Sequence, residues 1–287
     1  MAVFSLGTDT LKCVRIVAYQ RNTRVIESPD LANVLGDKCE VERCIGYLAS
    51  ICADESVQQI PKIVGGKLAN EGQFPYQASL RLNNNHFCGG SVISKRHILT
   101  AAHCMSGLDN AVITVVLGTN TLDKGGDQYF SIKKWVHPYY NSILIWHDIA
   151  LIKVNKDIVF GDKVKPIALS TKNFDKSDYP ATLSGWGTTN YPGKTPNDLQ
   201  YIQLRVINQK KCVASSYRIT KNNICTLNTW GEGACHGDSG GPLVADNEQI
   251  GVVSWGIPCA KNQPDVFTRV SSYLIWINDC IQQDKFI

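Results

Sequence analysis

Three short segments of the chain carry side chains suited to nucleophilic catalysis. Ser239 lies between glycines in GDSGGP, which permits a tight turn with its backbone N–H groups on one side. His103 lies in TAAHC, and Asp148 opens the apolar run DIALI. Cleaving an amide needs a nucleophile, a group that takes and returns its proton, and donors for the developing oxyanion. These three segments contain residues of each kind.

Each segment also has an ordinary structural interpretation. Gly, Asp and Ser are common turn residues, so the segment around Ser239 taken alone is more often a plain turn. His103 alone is more often a buried, satisfied histidine, and Asp148 alone a charge at a strand edge. The catalytic interpretation therefore depends on their joint occurrence. The histidines interpreted as structural or surface residues are His86, His97, His137 and His147.

The elements that must position these segments are mainly strands. Runs rich in β-branched residues, such as 111–117, 149–154 and 250–255, alternate with clusters of Gly, Asn, Asp and Pro. This punctuation is typical of all-β folds. A connector at 163–170 lies roughly midway through residues 63–287, which favours two β units of similar size.

One helix is predicted, at the end of the chain. Ser271 or Ser272 can cap its start, and the helix is expected to dock as a C-terminal brace. The apolar residues that share one helical face are Val270, Leu274, Ile277 and Ile281.

The composition is that of an ordinary globular protein, with 44% hydrophobic and 19% charged residues, and it excludes disordered and fibrous classes. The net charge of +4 is small, and the lysine pairs at 133–134 and 210–211 lack an accompanying aromatic motif. No apolar stretch approaches the roughly 18 residues that a membrane span requires. We therefore predict a soluble protein with no nucleic-acid and no membrane partner.

The cysteines and the N-terminal region favour secretion. The 11 cysteines show no paired C-x-x-C spacing, so disulfides in an oxidising compartment are the better interpretation. Residues 1–20 lack the apolar core of a signal peptide, and the nearest candidate is the internal run IGYLASICA. We interpret residues 1–62 as an N-terminal extension, with a signal remnant at 45–53 and a propeptide at 54–62.

The candidate segments occur in an order and a context that resemble the chymotrypsin-like serine proteases, over residues 63–287. The supporting segments are FCGGS (87–91), SGWG (184–187), SWG (254–256) and VF (266–267). The resemblance implies an all-β fold of two six-stranded antiparallel β-barrels with a C-terminal helix. It places the first barrel at about 63–165 and the second at about 166–287.

The same resemblance implies a serine endopeptidase that hydrolyses peptide bonds through an acyl-enzyme. Ser239 would attack the scissile carbonyl, His103 would exchange its proton, and Asp148 would orient the imidazole. The N–H groups of Gly237 and Ser239 would form the oxyanion hole.

The resemblance further implies a zymogen. Cleavage after Lys62 would free an ammonium group on Ile63, which would pair with Asp238 and order the oxyanion hole. A lysine at the cut indicates a trypsin-like activating protease. The expected product is a secreted, extracellular monomer, of the kind that works in the gut lumen and is controlled by protein protease inhibitors.

The pocket that selects the substrate departs from that of trypsin-like members. Where they carry an aspartate, this chain has Gly233, followed by Ala234. A carboxylate occurs instead at Asp265, as in some arthropod chymotrypsins and serine collagenases. We predict a preference for Phe, Tyr and Leu, broadened to Lys and Arg by Asp265 unless its carboxylate points away or is paired internally.

Further positions around this pocket are implied in the same way. His236 would flank the entrance. Ser254 would line the cleft beside Asp148, and the backbone of Ser254, Trp255 and Gly256 would pair with an extended polypeptide substrate as an added strand.

The resemblance also implies disulfide bonds. The pairs are Cys88–Cys104, Cys212–Cys225 and Cys235–Cys259. Cys280 is left over on the terminal helix, either as a half-buried free thiol or linked to the N-terminal segment, whose cysteines are Cys13, Cys39, Cys44 and Cys52.

No metal and no cofactor are predicted, because the loop at 119–123 is too poor in carboxylates for a calcium cage.

Two alternative functions remain open. One is a catalytically silent relative that acts as a binding protein, which the complete set of His103, Asp148 and Ser239 disfavours. The other is a serine collagenase within the same class.

Overall fold

Two antiparallel β-barrels contain most of the strands in the computed structural model, which describes residues 66–188, 193–229, 232–256 and 263–283. The strands, in chain order, are β1 (Lys67–Leu68), β2 (Gln77–Leu82), β3 (Asn85–Val92), β4 (His97–Thr100), β5 (Thr114–Leu117), β6 (Asp127–Val136), β7 (Ala150–Val154), β8 (Ala168–Leu169), β9 (Tyr179–Gly185), β10 (Gln200–Val206), β11 (Asn223–Thr226), β12 (Pro242–Ala245), β13 (Glu248–Trp255) and β14 (Asp265–Arg269). The helices are α1 (Ala102–Met105), α2 (Gln209–Ala214) and α3 (Leu274–Gln283). All of these elements belong to one compact unit.

The first barrel closes in the order β2-β3-β4-β7-β6-β5. Apolar side chains that are fully buried fill its interior, among them Leu80, Ile98 and Leu151. Each such side chain contributes about 1.5–3 kcal/mol when it leaves water. The barrel fixes two chain segments that matter below: α1, which follows β4, and the residues just before β7.

The second barrel runs β9-β10-β11-β14-β13-β12, and β12 pairs back onto β9. Leu183, Leu204 and Phe267 lie in its core. Outside this ring, β1 pairs with β10, and β8 lies parallel to β13. The predicted fold class of two six-stranded antiparallel barrels is confirmed. The glycine-rich segment that holds Ser239 leads directly into β12 of this barrel.

The C-terminal helix is also confirmed, and it packs against the core of the first barrel. Val270, Ile277 and Cys280 are buried in that core. The predicted serine cap is wrong, because a 3-10 turn (Val270–Tyr273) precedes α3 and takes up Ser271 and Ser272. Strand β14 runs straight into this turn at Arg269, so no side-chain cap forms there.

Two of the predicted disulfides, Cys88–Cys104 and Cys212–Cys225, are present. Cys235 is disulfide-bonded, and its predicted partner Cys259 lies outside the described residues. Cys280 is a free and buried cysteine, and burial raises the pKa of its thiol to about 11.

The predicted features upstream of Gly66 lie outside the described residues. They are the extension 1–62 with its segments 45–53 and 54–62, the cut site Lys62–Ile63, and the N-terminal cysteines Cys13, Cys39, Cys44 and Cys52. Within the described ranges, no helix is long and apolar enough to cross a membrane.

Candidate active site

A buried carboxylate, that of Asp148, lies between the two barrels just before β7. It accepts hydrogen bonds from His103 twice: the backbone N–H reaches Oδ1 at 2.8 Å, and ring Nδ1 reaches Oδ2 at 2.8 Å. From the second barrel, Ser254 Oγ donates to Oδ2 at 2.5 Å. Thr268 Oγ1 donates to the backbone carbonyl of Asp148 at 2.6 Å. Both barrels therefore fix this one carboxylate.

The imidazole of His103 is held on the short helix α1. The neighbouring Cys104 is tied by its disulfide to Cys88 on β3, which anchors this helix to the barrel. These two sulfurs lie near His103 but form the disulfide, so they offer no thiolate to a metal. Because a carboxylate only accepts hydrogen bonds, Nδ1 carries a proton and Nε2 of the neutral ring is left as an acceptor. The side chain is 25% exposed.

Ser239 sits in a turn that only glycine neighbours allow. Gly237 and Gly240 have φ values of 104° and 77°, in the region that L side chains rarely adopt. A Cβ at Gly240 would also collide with Thr100 Oγ1. The Ser239 carbonyl accepts the N–H of Gly89 at 2.7 Å, which links the turn to the first barrel.

No hydrogen bond joins Ser239 to His103 in the part of the chain that the structure describes. His103 Nε2 instead lies 3.6 Å from Sγ of Cys104. Catalytic hydrogen bonds are often long in sites without substrate and shorten only in the complex. The missing bond therefore leaves His103 a candidate proton acceptor for Ser239.

The carboxylate next to the serine, Asp238, is fully buried. It accepts the backbone N–H groups of Gly187 at 2.8 Å and Cys235 at 3.0 Å. A Cβ at Gly185 or Gly187 would collide with this carboxylate, which explains why the SGWG segment carries glycine at both positions. Burial raises the pKa of Asp238 to about 6, because two backbone donors only partly replace water.

A histidine that the sequence interpretation left as structural or surface, His86, contacts the same turn. Its Nε2 donates to the carbonyl of Gly237 at 3.0 Å, and its Nδ1 faces Ser79 Oγ at 2.9 Å. Burial lowers its pKa to about 4, and the charge of Arg81 adds to this effect, so the ring is neutral. His86 therefore helps to hold the turn beside Ser239. Its position directly before the FCGGS segment at 87–91 was the available signal.

A pocket opens beside Ser239 between two segments of the second barrel. Its lining residues are Ala234, Cys235, His236, Ser239, Val253, Ser254, Trp255, Gly256, Asp265 and Val266. Gly233 is buried, and the lining begins at Ala234. His236 is exposed at this pocket.

Asp265 opens β14 with its carboxylate in the pocket wall. Oδ2 accepts the N–H of Ala234 at 2.8 Å, and a Cβ on Gly256 would lie 3.1 Å from Oδ1. The residue is only 8% exposed. Burial, with a smaller contribution from the charge of Asp238, raises the pKa of Asp265 to about 7. The carboxylate is thus paired internally and also lines the pocket, so the internal pairing that was considered for it does not remove it from the pocket.

Two further histidines pack behind the Asp148 segment. The rings of His137 and His147 stack with centroids 5.0 Å apart, and both meet the ring of Tyr273 edge-on. Burial lowers the pKa of both imidazoles, that of His137 to about 4. Neutral stacked rings of this kind act as packing for the segment that carries Asp148.

Comparison with known proteins agrees with this geometry. The family model described as Trypsin matches residues 63–277. Chymotrypsin-2 of Vespa crabro is 49% identical over 215 residues, which cover 75% of this chain and 98% of that protein. Trypsin delta of Drosophila melanogaster is 37% identical over 223 residues, covering 75% of this chain and 87% of its own length. Putative trypsin-6 of Homo sapiens is 39% identical over 227 residues, covering 77% and 90% respectively.

Proposed function

This chain belongs to the trypsin family, is a serine endopeptidase that acts on polypeptide substrates, and, we propose, uses His103, Asp148 and Ser239 as its catalytic triad. The observation that carries the proposal is the hydrogen-bond set of Asp148, which fixes the His103 ring and also binds Ser254, a residue that lines the same pocket as Ser239. A carboxylate held in this way keeps the proton on Nδ1 and aims the basic Nε2 outward.

In the first half of the reaction, Ser239 Oγ attacks the scissile carbonyl carbon while its proton passes to His103 Nε2. The carbonyl oxygen becomes an oxyanion, which the N–H groups of Gly237 and Ser239 stabilise. The intermediate collapses as the C–N bond breaks and His103 gives its proton to the leaving amine. An ester between Ser239 and the acyl part of the substrate remains.

In the second half, His103 takes a proton from water, whose oxygen attacks the ester carbonyl. The second tetrahedral intermediate uses the same two N–H donors. When it collapses, the proton on His103 returns to Ser239 Oγ and the carboxylic acid product leaves. Asp148 stabilises the imidazolium in both halves without taking its proton.

A phosphonylating probe tests the triad directly. After cleavage at Lys62, we expect one probe molecule per chain, attached at Ser239 and located by peptide mass analysis. Ser239→Ala should take up none, whereas Ser91→Ala, which changes a buried serine bonded to Gln249, should label normally. An unlabelled wild-type chain would make this protein a catalytically silent binding protein.

We infer that cleavage after Lys62 by a trypsin-like protease activates the enzyme. The support is Asp238: a buried carboxylate with a pKa of about 6 gains most from a cationic partner, and a new ammonium on Ile63 is such a partner. Asp238→Asn should therefore remain inactive after complete cleavage, and Lys62→Gln should resist the activator. N-terminal sequencing and an ester-substrate assay measure both.

The proposed specificity is cleavage after Phe, Tyr and Leu, extended to Lys and Arg by Asp265. The pocket offers apolar wall from Val253, Trp255 and Val266, and one carboxylate. Gly233, Ala234, His236, Ser254 and Gly256 complete the proposed substrate-binding set. A panel of peptides that differ only at the reacting residue measures this specificity. Cleavage after Phe and Leu with none after Lys or Arg would show that Asp265 does not broaden the specificity.

We also propose the domain limits and the location of the protein. We infer a peptidase domain at 63–287, with barrels at about 63–165 and 166–287, preceded by an extension at 1–62. Disulfides such as Cys88–Cys104 support a secreted, extracellular monomer, suited to the gut lumen and open to protein protease inhibitors. N-terminal sequencing of secreted material should give a start at Ile63.

A further inference from the structure

A side chain of the second barrel, that of Arg218, is fastened to a loop of the first barrel beside the pocket. Trp146 Nε1 donates to the Arg218 carbonyl at 2.8 Å. In return, Arg218 Nε lies within 3.4 Å of the Leu144 carbonyl, to which it donates. These reciprocal bonds hold Arg218 where the loop before Asp148 meets the second barrel.

The guanidinium of Arg218 lies over the ring of Trp255, with its carbon 4.6 Å from the ring centroid. A cation–π contact of this kind holds a guanidinium without using its N–H donors, which remain able to bind an acceptor. Among the described residues, no carboxylate forms an ion pair with Arg218. This cation is therefore positioned by protein contacts while its charge is uncompensated within that part of the chain.

Trp255 connects this cation to the pocket. It lines the pocket directly after Ser254, the residue whose Oγ reaches Asp148. The proposed function has the acyl part of the substrate pair with residues 254–256 as an added strand, with its reacting side chain in the pocket. The substrate residues that precede the reacting one then pass over Trp255 and alongside Arg218.

We infer that Arg218 is a specificity-determining residue that selects an acidic side chain among the three substrate residues that precede the reacting residue. The inference rests on the proposed function of this pocket. A substrate carboxylate there would accept charge-assisted hydrogen bonds from a guanidinium that the Leu144 carbonyl and the Trp255 ring already hold, so little side-chain freedom is lost. Substrates with lysine at the same place would be disfavoured by like charge.

The flanking residues fit an extended substrate that carries apolar groups as well. Ile143 is 83% exposed on the first barrel, and Tyr217 is 86% exposed next to Arg218. Because successive side chains of a strand point to opposite faces, only alternate substrate residues can face Arg218. The acidic preference should thus be confined to one or two of the three positions.

Fluorogenic peptides with Phe at the reacting position, and with Glu, Gln or Lys placed singly at each of the three preceding positions, test the inference. For the activated wild type, we expect kcat/KM to be about threefold to tenfold higher for Glu than for Gln at one position, and lower for Lys. Raising the salt concentration to about 0.5 M should shrink this ratio, because exposed charges are screened.

Three variants test whether Arg218 causes the preference for Glu. Arg218→Gln should reduce the Glu-to-Gln ratio to near unity while leaving kcat/KM for the Gln peptide within about twofold. Arg218→Lys keeps the charge but loses the planar stack, and should retain part of the ratio. Arg205→Gln removes an exposed arginine that pairs with Asp178 on the same barrel, and should leave the ratio unchanged.

The outcomes separate this inference from the function on which it rests. If no peptide of the set is cut by the activated enzyme, the proposed function fails. If all peptides are cut with equal kcat/KM, or if Arg218→Gln keeps the wild-type ratio, the assignment of Arg218 is overturned and the proposed function stands.

Discussion

The surroundings of Asp148 and Asp265 differ in how well each buried carboxylate is supplied with donors. Within the described residues, Asp148 accepts two N–H groups from His103 and the hydroxyl of Ser254. In the same described part of the chain, Asp265 accepts only the N–H of Ala234. Donors from the protein replace the water that burial removes, so a fully supplied carboxylate is fixed in place and committed to its partners. The undersupplied one keeps bonding capacity for a substrate.

The largest effect should follow from changing the well-supplied carboxylate. In Asp148→Asn, an amide that can donate allows the wrong tautomer of His103, and we expect kcat to fall by about 10⁴-fold, the scale known for this change in a Ser-His-Asp triad. Steady-state kinetics with a Phe substrate measures it. A fall below tenfold would mean that the hydrogen bonds of Asp148 do not commit it to orienting His103.

Changing the undersupplied carboxylate should alter the choice of substrate instead. In Asp265→Asn, we expect kcat/KM for Lys substrates to fall by about 30-fold, on the scale of a lost charge-assisted contact, with Phe substrates changed less than threefold. Asp178→Asn, at an exposed aspartate, is the matched control. An equal loss for Phe and Lys would indicate a structural role for Asp265.

Removing one hydrogen-bond donor from Asp148 should leave its carboxylate less well supplied with donors, as that of Asp265 is. Ser254→Ala loses a hydrogen bond to a charged group, and we expect kcat to fall by about tenfold with KM little changed. The control is Ser91→Ala, because Ser91 is also buried and hydrogen-bonded but bonds Gln249. A change in KM alone would assign Ser254 to substrate binding and not to the orientation of His103.

The smallest predicted effect is a pH dependence of selectivity. Asp265 has a pKa raised to about 7, so it is mostly neutral below that pH and mostly charged above it. The ratio of kcat/KM for Lys to that for Phe should therefore rise by about fivefold from about pH 6 to about pH 8. A pH effect on the reaction steps that both substrates share cancels in this ratio. A flat ratio would contradict the titration of Asp265.

Local signals were enough to predict a mainly β chain of two similar units and the terminal helix, because β-branched runs, turn clusters and an apolar helical face lie close together in the sequence. The six-stranded barrels and the two disulfides followed from the resemblance to the chymotrypsin-like serine proteases. The sequence segments also indicated that His103, Asp148 and Ser239 belong to one site. The internal pairing of Asp265 with Ala234 could not be predicted, since it depends on how β14 meets a loop far away in the chain. The contact of His86 with Gly237 joins residues 151 positions apart and was missed for the same reason.

The failed serine cap illustrates the limit at an element boundary. Ser271 and Ser272 have the residue type of a cap, but strand β14 extends to Arg269 and sets the backbone entry into the 3-10 turn. The continuous backbone from β14 into the 3-10 turn therefore outweighs the local preference of serine for a cap position. Boundaries are set by neighbouring elements, whereas the existence of the helix follows from its own apolar face.

The hydrogen bond from Ser254 to Asp148 also has a consequence for the timing of synthesis. A ribosome delivers the first barrel, with His103 and Asp148, before the second barrel emerges with Ser239 and Ser254. A half-made chain thus has the proposed proton acceptor, His103, but neither the proposed nucleophile, Ser239, nor the Ser254 hydroxyl that completes the bonding of the Asp148 carboxylate. The order of synthesis thus delays assembly of the proposed site until the last strands have folded, and this delay is separate from the proposed control by cleavage after Lys62.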